Sequence, residues 1–365
     1  MNKKVILFLV VLFSIVAFNK FKTESVSVDY ELIEIPSPSL ADAIIQPRKT
    51  YKIGVNLPPS YHTSDKRFPV VYYLNGYTVH AGEYPLTFSI NYAFEEKKVK
   101  EMIVIEITGH NMFQGTMYAN SPITGNWEDF VTKDVINYVD QNYRTYSKRE
   151  SRAIVGHSMG GGGCTNISFK HSDKYAVAYP MSPAITEGYD TSVKMLFAND
   201  STMMTLEGFS KKMLNVSNKD FQNELTKVID TSNYNLTWLI GYGMAFAPNE
   251  SKPLRMDLPF DKQEDGSYVI NKKNYAKWAN GFGGLDSKVA EYKQNLLQYK
   301  HYGIDCGQSD DIQFIIDGTK YYTNLLSEHK IPFSMHWYDG KHSDKVAEQL
   351  SNRILPIMSI HLEDE

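Results

Sequence analysis

The strongest constraint on the fold is a regular alternation of short apolar runs with amphipathic stretches along most of the chain. The apolar runs predict strands at residues 69–74, 102–108, 152–155, 176–181, 301–305 and 333–338. The intervening stretches predict helices at residues 89–98, 129–143, 160–171, 287–299, 312–328 and 343–359. Strands that alternate with helices indicate βαβ units and a mostly parallel sheet. Two earlier β-rich runs, residues 28–35 and 50–57, predict an antiparallel start to that sheet.

Residues 186–284 interrupt this alternation. They contain a helical patch at 220–229, a Gly-Tyr-Gly sequence at 241–243 and a turn-rich stretch at 261–267. Insertions into α/β enzymes commonly shape the substrate pocket. We therefore predict one α/β domain in two parts, residues 23–185 and 285–365, with a lid or cap inserted at 186–284, rather than two independent domains.

The N-terminus has the composition of a targeting segment. Lys3 and Lys4 precede residues 5–18, in which only Ser14 is polar. Fourteen helical residues rise roughly 21 Å, which is less than the ~30 Å hydrocarbon core of a bilayer. Residues 1–22 therefore predict a signal peptide and export to the periplasm or the medium. The sequence has no A-x-A cleavage site there, so an uncleaved N-terminal anchor is the alternative, and no other membrane span is predicted.

The charge of the chain limits the classes of binding partner, and its cysteine content indicates the state of its thiols. The 365 residues carry 38 Lys+Arg against 42 Asp+Glu, a formal charge of −4, and basic residues cluster only in short groups such as Lys97-Lys98. This balance gives no reason to expect nucleic acid or an anionic membrane as a partner, and it favours a neutral small molecule. The two cysteines, Cys164 and Cys306, lie in apolar segments and are predicted to be buried thiols.

The chemical signal is the sequence Gly156-His157-Ser158-Met159-Gly160, between a predicted strand and a predicted helix. A G-x-S-x-G sequence in that context is typical of a nucleophile elbow, in which the serine has a strained backbone and the two glycines avoid clashes. The tight turn predicts that the His157 ring points away from the nucleophile. The alternative interpretation is a glycine-rich turn with an incidental serine.

A serine nucleophile needs a histidine base and an orienting carboxylate. After an elbow of this kind, the acid and then the histidine follow late strands. His342 lies in the polar loop after the last predicted strand, and Asp310 lies in the turn after the strand before it. Asp311 and Asp305 are the competing candidates for the acid.

An oxyanion hole needs two backbone N–H groups. The amide of Met159, directly after the nucleophile, is the first candidate. The second is the amide of Tyr77, which follows Asn75-Gly76 at the end of an early strand, and its side chain should then face the pocket. The alternative is that Asn75-Gly76 forms only a local turn.

Several stretches together resemble one family over roughly residues 51–357. They are LPPSY at 57–61, FPVVYYLNG at 68–76, GHSMGG at 156–161, DCGQSD at 305–310 and GKH at 340–342. The chain resembles the esterase family of α/β-hydrolases that includes feruloyl esterases, S-formylglutathione hydrolases, enterochelin esterases and mycolyltransferases. The resemblance implies an α/β-hydrolase fold. It also implies Ser158 as nucleophile, Asp310 as acid, His342 as base, and Tyr77 and Met159 as the oxyanion amides.

No metal or organic cofactor is predicted. Residues 261–266 begin like a calcium loop, but Lys272 stands at its twelfth position, so a hairpin turn is the better interpretation. We expect a serine carboxylesterase acting on a small-molecule ester through an acyl-Ser158 intermediate. The alternatives are an acyltransferase to a sugar or lipid alcohol on the same triad, and a non-catalytic binding protein on the same scaffold.

Overall fold

The computed structural model describes residues 27–83, 86–97, 99–230 and 232–365. The signal peptide predicted at residues 1–22 lies outside these ranges and stays a prediction. No helix within these ranges is long and apolar enough to cross a bilayer.

The strands of the described residues come in chain order. They are β1 (Asp29–Pro36), β2 (Thr50–Leu57), β3 (Val70–Leu74), β4 (Ile103–Ile107), β5 (Asn120–Ser121), β6 (Gly125–Asn126), β7 (Arg152–His157), β8 (Val177–Met181), β9 (Phe260–Lys262), β10 (Tyr268–Ile270), β11 (His301–Gly307) and β12 (Ser334–Tyr338). Eight of them form one sheet in the order β1-β2-β4-β3-β7-β8-β11-β12. The β1–β2 and β2–β4 pairs are antiparallel and the other pairs are parallel, which confirms the predicted sheet and its antiparallel start.

The helices follow the same order. They are α1 (Thr87–Lys97), α2 (Trp127–Asp129, Phe130–Val135 and Ile136–Asn142), α3 (Met159–Lys170), α4 (Thr191–Leu196), α5 (Asp200–Lys212), α6 (Asn218–Val228), α7 (Tyr234–Phe246), α8 (Lys272–Ala279), α9 (Leu285–Glu291), α10 (Lys293–Leu296), α11 (Gln313–Glu328) and α12 (Val346–Gln349, Leu350–Ile354 and Leu355–His361). The middle segments of α2 and α12 have the wider turns of a π-helix.

The single helix predicted at 287–299 is wrong. The chain forms two short helices, α9 and α10, which meet at Tyr292. Tyr292 packs on Phe169 of α3 with ring centroids 6.0 Å apart, and the Asn295 side chain donates a hydrogen bond to the Phe169 carbonyl. These contacts with α3 accompany the break, and hydrophobic periodicity alone carries no signal for them.

The sheet is buried on both faces. Along β3, Val70, Tyr72 and Leu74 pack into the core beneath α2, α3 and α11, whereas Val71 and Tyr73 pack into a second core beneath α1 and α12. Such two-sided burial explains why the central strands are almost continuously apolar. It also leaves the carboxyl ends of the parallel strands as the edge where functional loops can meet.

The predicted interruption at 186–284 contains more regular structure than expected. It folds into α4 to α8 and the β9–β10 hairpin, although only the patch at 220–229 was predicted as helix. The hairpin lies where a turn was favoured over a calcium loop. Cys164 and Cys306 are buried free thiols, as predicted.

Candidate active site

Ser158 lies between the end of β7 and the start of α3. Its backbone has φ 59° and ψ −119°, a conformation that a non-glycine residue rarely adopts. Three backbone hydrogen bonds hold it: its N–H donates to Met181 (3.0 Å), and its carbonyl accepts from Gly162 and Ala184 (2.9 Å each). The turn therefore has the strained geometry predicted for a nucleophile elbow.

Gly156 and Gly160 are required by the close approach of backbone segments. A Cβ at residue 156 would lie 2.2 Å from the Gly160 carbonyl oxygen, and a Cβ at residue 160 would lie 2.1 Å from the Leu74 carbonyl oxygen. Larger residues at either position would push α3 away from the sheet. The steric reason predicted for these elbow glycines is therefore present.

The structure brings Ser158, His342 and Asp310 into one hydrogen-bonded chain. The Nε2 atom of His342 lies 2.8 Å from Ser158 Oγ, and its Nδ1 atom lies 2.7 Å from Asp310 Oδ2. Asp310 Oδ1 also accepts from the Ile312 N–H at 2.9 Å, which orients the carboxylate. Because the Asp310 side chain is fully buried, its contact with His342 is shielded from water.

The competing carboxylates lie elsewhere. Asp311 is exposed to solvent. Asp305 is fully buried within β11, and neither of its carboxylate oxygens has a hydrogen-bond partner in the described part of the chain. Burial raises the pKa of Asp305 to about 8.

His157 is closer to this chain of residues than the sequence suggested. Its Nε2 atom lies 2.9 Å from the backbone carbonyl oxygen of His342. The two imidazole rings lie 4.8 Å apart between centroids. The sequence prediction concerned the orientation of the ring relative to the nucleophile, and it gave no signal for this contact with the loop that carries His342.

The candidate oxyanion donors have free N–H groups. Neither the Tyr77 amide nor the Met159 amide donates to an acceptor among the described residues. The Tyr77 side chain lines the cavity, as predicted, and its hydroxyl donates to the Phe113 carbonyl at 2.7 Å. Gly115 packs against both residues, since a Cβ there would lie 2.5 Å from Met159 Sδ and 2.6 Å from Tyr77 Cδ2.

A cavity of about 670 Å³ opens above Ser158. Most of its wall comes from α4, α5 and α7, within residues 186–284. The polar lining residues include Asn199, Ser201, Thr202, Thr205, Asn233 and Asn235. The apolar lining residues include Leu196, Leu236, Trp238, Leu239, Ile312, Phe314 and Ile315. No Asp, Glu, Lys or Arg lies among the described lining residues, so the cavity suits an uncharged ligand.

The described ranges hold no cluster of three or more His, Cys, Asp or Glu side chains that could bind a metal ion.

A serine on a strand-to-helix elbow, at the carboxyl edge of a mostly parallel sheet covered on both faces, is the hallmark of the α/β-hydrolases. Within that class the sequence is more specific. Residues 46–233, about half of the chain, match the family described as "Putative esterase", and the chain belongs to this family.

Individual relatives share only moderate sequence identity with this chain. Esterase Rv1288 of Mycobacterium tuberculosis is 27% identical over 158 residues, which are 43% of this chain and 34% of the mycobacterial protein. The match thus spans about a third of the length of that relative.

Two solved structures share the fold. A ferulic acid esterase superposes with a TM-score of 0.57 at 18% identity, over 92% of this chain and 100% of the other. The S-formylglutathione hydrolase of Staphylococcus aureus gives a TM-score of 0.53 at 20% identity, over 91% and 99% of the two chains. At such identities the likeness establishes the α/β-hydrolase fold.

Proposed function

We propose that the chain is a serine carboxylesterase that hydrolyses a small, uncharged ester through an acyl-Ser158 intermediate. The observation that carries the proposal is the continuous chain from Ser158 Oγ through His342 to Asp310, with contacts of 2.8 and 2.7 Å. A binding protein on the same scaffold would have no need of this arrangement.

In the first half of the reaction, His342 Nε2 takes the proton of Ser158 Oγ as the oxygen attacks the ester carbonyl carbon. Asp310 holds the proton on Nδ1 and stabilises the imidazolium that forms. The tetrahedral intermediate then collapses, the bond to the alcohol oxygen breaks, and His342 returns its proton to that oxygen. The products of this half are the free alcohol and acyl-Ser158.

In the second half, water replaces the alcohol. His342 takes a proton from the water as the water oxygen attacks the acyl carbon. The second tetrahedral intermediate then collapses, the bond from the acyl carbon to Ser158 Oγ breaks, and His342 returns its proton to Oγ, which releases the carboxylic acid and restores the serine hydroxyl. In both halves the negative oxygen would accept hydrogen bonds from the Tyr77 and Met159 amides, which have no other acceptor among the described residues.

We further propose that residues 186–284 act as a cap that selects the ester. The described lining residues of this segment are uncharged and include amide, hydroxyl, aliphatic and aromatic groups. An ester with an apolar acyl group and a neutral, hydroxyl-bearing alcohol matches both kinds of group, whereas a charged ester would lose hydration without gaining a partner.

Acyl transfer to an alcohol is a second candidate. Among the polar lining residues, the side chains of Asn199, Ser201 and Asn235 make no hydrogen bond within the described residues and could hold an acceptor hydroxyl. Product analysis with and without added glycerol or glucose distinguishes the two activities, because transfer yields a new ester and hydrolysis yields only the acid.

Hydrolysis of short-chain p-nitrophenyl esters by wild type and Ser158→Ala tests the mechanism. We expect the variant to lose at least about 1,000-fold in kcat. Ser267→Ala, the same change in the exposed turn between β9 and β10, should behave as wild type. A fluorophosphonate probe should label Ser158. Equal rates for wild type and Ser158→Ala, or labelling of another residue, would refute the mechanism.

We also propose export, on the basis of the signal peptide expected at residues 1–22. Expression of the full chain in a bacterial host, followed by mass analysis of the N-terminus in the periplasmic or secreted fraction, tests it. An intact Met1 in the cytosolic fraction alone would contradict it.

A further inference from the structure

His157 immediately precedes the proposed nucleophile and reaches the loop that carries the proposed base. It is the last residue of β7, it is buried, and 185 residues separate it from His342. Its Nε2 atom lies 2.9 Å from the backbone carbonyl oxygen of His342. A carbonyl oxygen only accepts, so Nε2 must carry the proton and donate it.

The surroundings of His157 hold the ring in this neutral form. Burial, and to a lesser extent the electrostatic effect of the neighbouring His342, lowers the pKa of His157 to about 4. Its Nδ1 atom faces the Gly76 backbone, where an added Cβ would lie 3.6 Å away. The other titratable groups that influence the pKa of His157 are His342, through its charge and its carbonyl, and Asp310. Because His157 is neutral, it adds no positive charge beside the imidazolium that forms during the reaction.

The contact complements those made by the His342 ring. The ring is oriented by Asp310 on one side and Ser158 on the other, but neither bond holds the backbone that carries it. That backbone belongs to a polar loop, in which the Lys341 N–H donates to Asp344. The His157 bond is a direct link from the nucleophile strand to the backbone of His342.

We propose that His157 is a positioning residue for the base: its Nε2–H donor fastens the backbone of His342 to the strand that carries Ser158, so that nucleophile and base keep one geometry. This role rests on the proposed esterase function. It does not require His157 to touch the substrate, and it predicts an effect on kcat with little change in KM, because a displacement of about 1 Å at reacting groups can lower a rate on the order of 100-fold.

Paired variants isolate the donor. In His157→Gln, the side-chain amide nitrogen can occupy the position of Nε2 and donate to the same carbonyl, whereas His157→Leu has similar bulk and no donor. We expect His157→Leu to lose between about 10-fold and about 100-fold in kcat, and His157→Gln to recover most of that loss. His301→Leu, which removes a partly buried histidine stacked on His361 at the opposite end of the sheet, is the matched control and should retain wild-type kcat.

The outcomes separate the inference from the proposed function. If Ser158→Ala is as active as wild type, the esterase mechanism fails. Two outcomes with an inactive Ser158→Ala would refute only the positioning role. In the first, His157→Leu keeps full kcat; in the second, His157→Leu and His157→Gln lose the same amount of kcat.

A measurement on wild type covers the case in which His157→Leu does not fold. Nitrogen-15 NMR of histidine-labelled protein should show His157 as a neutral ring protonated on Nε2 from about pH 6 to about pH 9. A ring that titrates in this range, or that carries its proton on Nδ1, would overturn the proposal.

Discussion

Gly160→Ala should be among the most damaging small substitutions in the chain. Its Cβ would lie 2.1 Å from the Leu74 carbonyl oxygen and 2.6 Å from the carbonyl carbon, about 1 Å inside any normal contact. Both atoms belong to the backbone of the central strand β3, so no side chain can turn aside. Overpacking of a core typically destabilises by 1–3 kcal/mol, and we expect about 3 kcal/mol here because helix and strand must separate.

The same displacement should reach the chemistry. Leu74 leads directly into the loop that carries Tyr77, and Gly160 follows Met159, so both proposed oxyanion amides would move. We expect the Tm to fall by about 4 °C and kcat for a p-nitrophenyl ester to fall on the order of 100-fold. Differential scanning calorimetry and initial rates measure the two effects.

Gly208→Ala is the matched control. Gly208 lies within α5, and apart from its chain neighbours and the backbone of its own helix, no heavy atom of the described residues lies within 4 Å of the position its Cβ would take. Because alanine favours a helix over glycine by about 1 kcal/mol, this variant should gain about 1 °C in Tm and keep wild-type activity. A Gly160→Ala protein with the Tm and kcat of wild type would refute the steric account of the elbow.

Three further changes test the site. Asp310→Asn should lower kcat on the order of 1,000-fold or more with little change in KM, because the amide cannot stabilise the imidazolium, whereas Asp311→Asn at an exposed position should remain within about two-fold of wild type. Since burial raises the pKa of Asp305 to about 8, the unfolded chain holds fewer protons than the folded one between about pH 4 and about pH 8, and stability falls as pH rises through this window. Asp305→Asn should therefore gain stability relative to wild type by up to about 1.4 kcal/mol per pH unit in urea titrations from pH 5 to pH 8, and a gap that does not grow with pH would contradict this. Trp238→Ala should raise KM for aromatic acyl esters about 10-fold and leave acetyl esters unaffected, because Trp238 meets the Tyr77 ring edge-on at 4.9 Å in the apolar wall.

The parallel sheet could be predicted because each of its inner strands is a short apolar run that ends at turn residues. The run at 69–74 and the strand Val70–Leu74 differ by one residue. Position after a late strand also pointed to the turn that contains Asp310 and Asp311, and of these two the structure turns Asp310 towards His342. In both cases the information is local, or follows from the rule that parallel strands end at one edge.

The helices of residues 186–284 were harder to predict because glycines within them are required by contacts with residues that are distant in sequence. Gly-Tyr-Gly at 241–243 is a turn signal in isolation. In α7, however, a Cβ on Gly243 would lie 2.4 Å from both Met256 Sδ and Trp278 Cη2. Glycine at this position lets other residues pack closely against the helix. Because those residues lie more than ten positions away in sequence, the local pattern does not reveal them.

The elbow links the chemistry to the cap. Holding Ser158 at φ 59° has a free-energy cost on the order of 1–3 kcal/mol, which surrounding contacts must offset. One of those contacts is the Ala184 N–H, which donates to the Ser158 carbonyl from the loop after β8, directly before residues 186–284 begin. A second link joins Tyr77 to α7, whose Thr237 hydroxyl lies 2.9 Å from the Tyr77 hydroxyl. The segment that shapes the pocket therefore also contacts the residue of a proposed oxyanion donor, and the loop that leads into the segment supports the strained serine. Changes within it should affect kcat as well as substrate choice.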